Sequence, residues 1–579
     1  AILFYWLLNM SQYFFLDNLM GYRPMGPIGE PPLLGETDTP FKPNLFFVIP
    51  ALGGLLSGLI VFWLAPEAEG HGTDAAIETF HKKQGIVRSR VPLIKIIASA
   101  LTIGTGGSAG REGPIAQIGS GFGSMLGQWL GLSPQDRRIL MVAGMGAGIG
   151  AIFHAPLAGA LFASEVLYRE TEFEYEVLVP TTIASTIAYG VFNTQFGWNP
   201  LFETPDFRFD NPAQLIPYTV LAIVVAFAAK YFTKIFYYIR GLFQKIPGPP
   251  HLKPMYGGFL VGIIGYFLPE AIRTGAIGTG YGIIQQGLDM PDSTLTIQVL
   301  LLVAVAKMFT TSFSVGSGGS GGVFGPSVVI GGALGGAVGL IFMNYFGQFH
   351  VPPGACVIVG MAGFFAAAAK TPISMIIMVS EMTENYFLLV PAMWVNVIAF
   401  FVNRKTTLYE SQIPTRLDSP AHLGNFMEEI LRQLQVRDAV IHTKVSQIPL
   451  VRPDTNLMNL LDLLATTDAQ CYPVIDPEDD LIGMVDIREV RMAYNEKQLA
   501  TLVIAQDFLQ EAVTITMHDS LFTALQKQHE HNVRDLIVVD LENPKKVTGI
   551  LSSNDIISEY DREIKKSMRD IRRDIKDIK

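Results

Sequence analysis

Long stretches of the chain up to Asn403 carry no charge. Leu45–Pro66, Ser327–Phe349 and Asn385–Asn403 contain no charged side chain, and each is near the ~20 apolar residues that span a hydrocarbon core. They predict membrane-crossing helices. The segments VPLIKIIASALTIG (Val91–Gly104) and IQVLLLVAVAKMFTTSFSVG (Ile297–Gly316) are expected to be too short to span before glycines break them. From Arg404 onward charge rises sharply. There, helix-period segments alternate with short β-branched runs, which predicts a soluble α+β tail.

The pattern is written twice in each part. GTGGSAGREGP at Gly104–Pro114 returns as GSGGSGGVFGP at Gly316–Pro326, with seven of eleven positions identical. Lys95 precedes the first copy at the same distance as Lys307 precedes the second. Further on, Gly144 aligns with Gly360, Pro156 with Pro372, and Ser164-Glu165 with Ser380-Glu381. Residues 40–200 and 250–410 therefore read as two copies of one unit. The tail repeats as well: Pro453–Asp476 pairs without a gap with Met517–Asp540, each a helix and a strand followed by a second strand and helix. Membrane proteins with internal repeats place their site where the repeats meet, and short, glycine-interrupted apolar segments in matching positions point to it.

Chemistry enters at those glycines. In GREGPIAQIGSGFG the proline suits the first turn of a helix, and the glycines leave the first N–H groups bare. Bare N–H groups at the positive end of a helix dipole attract an anion. Left unpaired in a bilayer, each would cost several kcal/mol. GGVFGPSVVIGG offers a second such start and EGHGTDAAIETF (Glu69–Phe80) a third. A nucleotide phosphate loop is excluded, because no Lys-Ser/Thr follows the glycines. Glu112 is the one carboxylate written into this repeated phrase, and Phe324 stands at its place in the other copy. A carboxylate at an anion-binding helix start competes with the anion for the same seat, so Glu112 reads as a movable gate and Phe324 as a fixed wall. An ionisable residue at membrane depth is functional by default.

Composition agrees. Of 579 residues, 16% are charged against roughly 25% in soluble domains, and 56 are glycine. The net charge of −10 comes mainly from the tail and indicates no nucleic-acid partner. Two cysteines, Cys356 and Cys471, fall in different regions and make no disulfide framework. No hydrolytic or redox constellation is present, so neither an enzyme nor a metal is expected. The opening AILFYWLL has neither Met nor a basic stretch and reads as starting mid-helix, not as a signal peptide.

These residues resemble the CLC family of chloride channels and chloride/proton exchangers over nearly the whole chain. GREGP (Gly110–Pro114) is similar to the family's gating-glutamate motif, and GVFGP (Gly322–Pro326) to its second anion-binding motif. Tyr409, in KTTLYESQI, fits the family tyrosine that touches the central ion. The tail resembles a pair of CBS domains. The resemblance implies an all-α polytopic membrane domain with an inverted internal repeat, plus α+β cytoplasmic tandem CBS domains. It also implies a homodimer in the bilayer with one pore per subunit. The chloride-binding set it implies is His71, Gly72, Arg111, Glu112, Gly113, Val323, Phe324, Gly325 and Tyr409. No cofactor is required, chloride is the bound ion, and an adenine nucleotide (ATP, ADP or AMP) is the candidate ligand of the CBS pair.

Three departures from the family pattern matter. Where the family has G-S-G-x-P, this chain has GHGTD (Gly70–Asp74): His71 replaces a coordinating serine and Asp74 a proline. Histidine titrates near neutrality, so anion occupancy is expected to follow His71. The internal proton-relay glutamate of the exchangers falls on Val166, just after Glu165. Valine binds no proton, which favours a voltage- or proton-gated chloride channel over the alternative, a secondary active chloride/proton antiporter. A nucleotide sensor with a vestigial membrane part is disfavoured by the intact gate and Tyr409. Lastly, the first CBS unit reads GMVDIRE where a nucleotide site expects serine or threonine. The second, GILSSND, supplies Gly549, Ser552 and Asp555, so at most one good nucleotide site is expected.

The expected domains are a membrane part at 1–415, a linker at 416–435, CBS units at 436–498 and 499–564, and a charged tail at 565–579. Clusters of Lys and Arg after His81, near Arg137 and at Arg404 are expected to face the cytoplasm together with the CBS pair, in a plasma (inner) membrane.

Overall fold

A backbone removed from water must satisfy its own N–H and C=O groups, and the first part of the chain does so with helices. The structure, a computed structural model, describes residues 1–30, 32–35, 37–290, 295–440, 449–466, 469–494 and 503–577. It divides into two units, Ala1–Ala421 and His422–Lys579. Every described regular element of the first unit is helical.

Among the described residues, four helical segments are long and apolar enough to cross a membrane: Pro43–Leu64, Pro212–Lys245, Ile297–Gly316 and Phe324–Tyr345. The third corrects the expectation of a segment too short to span. Its 20 residues form one uninterrupted helix that carries Lys307 within it, and the glycine break comes only after Gly316. The charge-free run at Asn385–Asn403, by contrast, holds a helix of 14 residues, Leu389–Val402.

The duplication is visible helix by helix. Glu112–Trp129 is followed by Pro134–Ile152, Pro156–Glu165 and Tyr175–Phe196; Phe324–Tyr345 by Pro353–Ala369, Pro372–Thr383 and Leu389–Val402. The copies pack by the same device. A Cβ on Gly119 would lie 2.1 Å from the Gly144 carbonyl oxygen, and one on Gly331 would lie 2.4 Å from that of Gly360. Small residues let helix backbones approach this closely in membranes. Gly360→Ala is expected to destabilise the fold by about 1–3 kcal/mol, the usual penalty for overpacking. The check is the fraction of protein that stays monodisperse in detergent after graded heating.

The copies also interlock. Gly110 and Gly322 exchange reciprocal backbone hydrogen bonds of 2.7 and 2.6 Å, so the two glycine-rich loops meet head to head across a local two-fold. Farther along, the Glu165 carboxylate accepts N–H groups from Ile373 (3.0 Å) and Ser374 (2.8 Å), at the start of Pro372–Thr383. Its counterpart Glu381 accepts from Leu157 (3.3 Å) and Ala158 (2.8 Å), at the start of Pro156–Glu165. Each of these two helices thus carries in its last turn the carboxylate that caps the other's bare N-terminus.

The second unit holds two similar halves. In the first, Leu457–Thr466 leads to an antiparallel pair, β1 (Cys471–Ile475) and β2 (Leu481–Asp486), and then to Ile487–Tyr494. In the second, β3 (Thr514–Thr516) pairs parallel with β4 (Asp535–Val539), which pairs antiparallel with β5 (Val547–Ser552) before the helix Ser553–Asp577. Val451 bridges parallel to Val474 and stands where β3 stands in the other half. Cys471 and Met484 of one half pack with Ile537 and Val539 of the other. The stretch expected as a linker carries a helix, Leu423–Gln433, and the expected boundary at 498/499 lies outside the described residues.

Candidate functional site

The reciprocal bond between Gly110 and Gly322 brings two helix starts together. Glu112 is the first residue of Glu112–Trp129, and Phe324 the first of Phe324–Tyr345. The Glu112 carboxylate is buried and occupies the far helix start: one oxygen accepts the Gly325 N–H at 3.1 Å, and the other accepts the Tyr281 hydroxyl. A carboxylate therefore stands where an anion would take the second repeat's N–H. A Cβ on Gly110 would lie 2.8 Å from the Gly325 backbone nitrogen as well as 2.0 Å from a Glu112 carboxylate oxygen, and the fixed backbone atom is what requires glycine there. The Phe324 ring turns the other way, with its centroid 4.5 Å from that of Phe365 and 4.8 Å from that of Phe153, and forms a wall of this chamber.

The third helix start, Thr73–Lys82, abuts the first. Its cap Gly72 has φ +76°, and a Cβ there would lie 2.5 Å from the Gly113 carbonyl oxygen; one on Gly113 would lie 1.9 Å from that of His71. The His71 ring is buried, with its centroid 5.5 Å from the Tyr409 ring, and its Nδ1 has no hydrogen-bond partner among the described residues. Asp74, the other departure in this motif, has a visible task. Its two oxygens accept the Ser411 N–H at 2.8 Å and the Ser411 hydroxyl at 2.9 Å. It thereby ties down the segment that carries the buried Tyr409 next to His71.

A fourth helix start was not read from the sequence. Gly278-Thr279-Gly280-Tyr281 repeats Gly70-His71-Gly72-Thr73, with Gly280 at φ +82° and a helix beginning at Tyr281. Lys95 donates to the Gly70 carbonyl at 2.8 Å, and Lys307 to that of Gly278, also at 2.8 Å. The Gly321 N–H reaches Gly70 at 3.2 Å, and the Ala109 N–H reaches Gly278 at 3.3 Å. The duplicated lysines thus brace equivalent loops. The signal was a second G-x-G, too short to be noticed without its bracing lysine.

Other expected residues fall differently. Val323 caps its helix and is buried. The Arg111 guanidinium is turned away from the seat, bound to both Glu30 oxygens at 2.6 Å and stacked near the Tyr5 and Tyr281 rings. Val166 is fully buried and its carbonyl accepts the Gln412 amide at 2.9 Å, while Glu165 serves as the helix cap described above. In the tail, the Asp555 carboxylate accepts the Ser552 N–H (2.9 Å) and hydroxyl (2.6 Å), and Gly549 lies in β5. Partial burial of Asp486 is outweighed by the Arg488 guanidinium and N–H, which hold its carboxyl below the usual range.

Fold and site together define a membrane protein built from two interlocked helical repeats, with the buried Glu112 carboxylate of one seated on a backbone N–H of the other. The family model described as voltage gated chloride channel matches residues 53–404, and that of the CBS domain matches residues 436–496 and 505–562. The chain belongs to the voltage gated chloride channel (CLC) family and carries tandem CBS domains. It is similar to the H(+)/Cl(-) exchange transporter ClcA of Yersinia pestis, 32% identical over 353 residues, or 60% of this chain and 72% of that one. The putative chloride channel protein ClcB-like of Ralstonia nicotianae is 30% identical over 356 residues, or 60% and 79%. Among solved structures, a slow cyanobacterial Cl-/H+ antiporter has a TM-score of 0.59 at 24% identity, covering 69% of this chain and 89% of its own. A eukaryotic CLC transporter has a TM-score of 0.55 at 19% identity, covering 96% and 95%.

These relatives correct the expectation of a passive channel. The exchange transporters of Yersinia pestis and, at 31% identity, of Salmonella agona couple chloride to protons by name. The channel reading hung on Val166 alone, and water in a polar passage moves protons without a side chain at that position.

Proposed function

We propose that the protein is a secondary active chloride/proton antiporter in which Glu112 is both gate and proton carrier. The observation that carries this reading is the Glu112 carboxylate seated on the Gly325 N–H. A group that competes with chloride for one seat, and leaves it when protonated, links the two ions at a single point. Chloride is held by the backbone N–H groups around Gly113 and Gly325, with His71 and Tyr409 beneath the same chamber. Val323 and Phe324 shape its wall, and Arg111 contributes through its backbone. With Val166 in place of a carboxylate, protons reach the inner side along water. The decisive test is reconstitution in vesicles: an outward chloride gradient should drive protons uphill, and chloride flux without proton movement would refute exchange.

His71 replaces a hydroxyl donor with a ring N–H, and its unpartnered Nδ1 supports a role at the anion. His71→Phe, which keeps the ring and removes both nitrogens, is expected to weaken chloride binding about 10–150-fold, the worth of one hydrogen bond to an ion. Isothermal titration of the purified protein with chloride reads this directly.

The finer arrangement follows the family: a homodimer with one pathway per subunit, in the plasma (inner) membrane, with the CBS pair in the cytoplasm. The second CBS half, through Gly549, Ser552 and Asp555, is the candidate seat of an adenine nucleotide. In the first half Asp486 is already paired with Arg488 and adds negative charge where a phosphate would lie.

A further inference from the structure

The duplicated G-x-G loops differ where it matters most. At the first helix residue one copy has Thr73 and the other Tyr281, and Tyr281 spans from its own helix start to the gate. Its hydroxyl donates to one Glu112 oxygen while the Gly325 N–H donates to the other. The ring is held on two sides. It lies in edge contact with Phe202, centroids 5.7 Å apart, and under the Arg111 guanidinium at 5.5 Å, while its backbone follows directly on the Lys307-braced Gly278–Gly280 loop. Arg111 is held in turn by Glu30. Tyr281 and Arg111 also line a cavity of about 340 Å³ with Asp17, Arg23, Glu30 and Thr279. The ring therefore stands between that cavity and the gate carboxylate.

We infer that Tyr281 is the positioning residue of the gate, a hydroxyl latch that holds ionised Glu112 in the anion seat and sets how much acid is needed to release it. This rests on the reading of Glu112 as gate. The charged and titratable groups that act on Glu112 are Tyr281, Arg111, Lys307 and Tyr409. Arg111 is committed to Glu30 and Lys307 to the Gly278 carbonyl. Tyr281 is thus the side chain that bonds the carboxylate directly. A proton must displace that bond before the carboxyl can swing out. With the hydroxyl removed and the ring kept, a lower proton concentration suffices.

The test measures chloride-driven proton flux and chloride flux against external pH, using the full chain in vesicles. Tyr281→Phe is expected to move the midpoint of acid activation upward by about one to two pH units, the worth of a hydrogen bond to a charged group. Incorporation of 3-fluorotyrosine at 281 keeps the shape and strengthens the donor, so it should move the midpoint downward; it also covers failure of the Phe form to fold. In a Glu112→Gln background, Tyr281→Phe should add no shift. An unmoved midpoint in both Tyr281 forms, or the same shift with Glu112→Gln, would overturn the latch. If Glu112→Gln itself left proton coupling intact, the gate reading would fall instead, so the two failures are separable.

Discussion

Glu112→Gln is expected to abolish chloride-driven proton movement while chloride still crosses. The substitution keeps the shape of a side chain that accepts the Gly325 N–H on one oxygen and the Tyr281 hydroxyl on the other. It removes the charge and the site at which the side chain would bind a proton. The amide has one acceptor oxygen facing two donors, so its NH2 must meet either the Gly325 N–H or the Tyr281 hydroxyl. Each hydrogen bond to a charged group is worth about 1.5–3 kcal/mol, and that advantage over chloride disappears. The seat becomes easier for chloride to occupy by about tenfold or more, and flux loses its dependence on external acid. Parallel recordings of chloride efflux and internal pH in vesicles check this. Proton uptake that persists at the wild-type rate would place the carrier elsewhere.

The largest expected effect on stability lies at Glu30. Both members of its pair are buried, with side-chain exposures of 4% for Arg111 and 7% for Glu30, and the two bonds are parallel and bidentate. Removing one partner of such a pair leaves a desolvated charge, at a cost of about 3–5 kcal/mol. Glu30→Ala should therefore lower thermal stability strongly. Glu30→Leu combined with Arg111→Met, which buries no charge, should recover most of the loss. Arg208→Ala, in an exposed pair with Asp206, should change nothing measurable and serves as the control. Retention of the folded, monodisperse fraction on size-exclusion chromatography after heating ranks the variants. If Glu30→Ala and the double variant fell together, packing of the Glu30 loop would account for the loss and the pair itself for little.

What could be read in advance depended on repetition. The glycine-rich phrases at Gly104 and Gly316 sit in the same place in both copies, so their meeting at Gly110 and Gly322 followed from the duplication itself. Glu112 was singled out as the proposed gate because it is the one carboxylate in a phrase of which seven of eleven positions are shared. The Gly278–Tyr281 loop escaped because its G-x-G is short and its helix has only eight residues, too few for a periodic pattern to stand out. The Arg111–Glu30 pair escaped for the opposite reason. It joins positions 81 residues apart with no copy in the other repeat, and nothing local marks Glu30 as a partner. The length of Ile297–Gly316 was misjudged because the glycine break was expected to cut the segment short, whereas the helix runs its full 20 residues before the break, with the Lys307 ammonium absorbed by a carbonyl inside the fold. The choice between channel and exchanger went wrong because one apolar side chain, Val166, was allowed to decide a property that belongs to a whole passage.

The exchanged carboxylate caps have a consequence for synthesis. The N–H of Leu157 waits for Glu381, made 224 residues later. At roughly 5–20 residues per second on the ribosome, that is a delay of about 10–45 s. During it the opening turn of Pro156–Glu165 has no protein acceptor, a state that hydrocarbon penalises by several kcal/mol per bare group. The nascent first half must therefore pass that interval beside water or within the insertion machinery, and reach its resting depth in lipid only when its twin arrives.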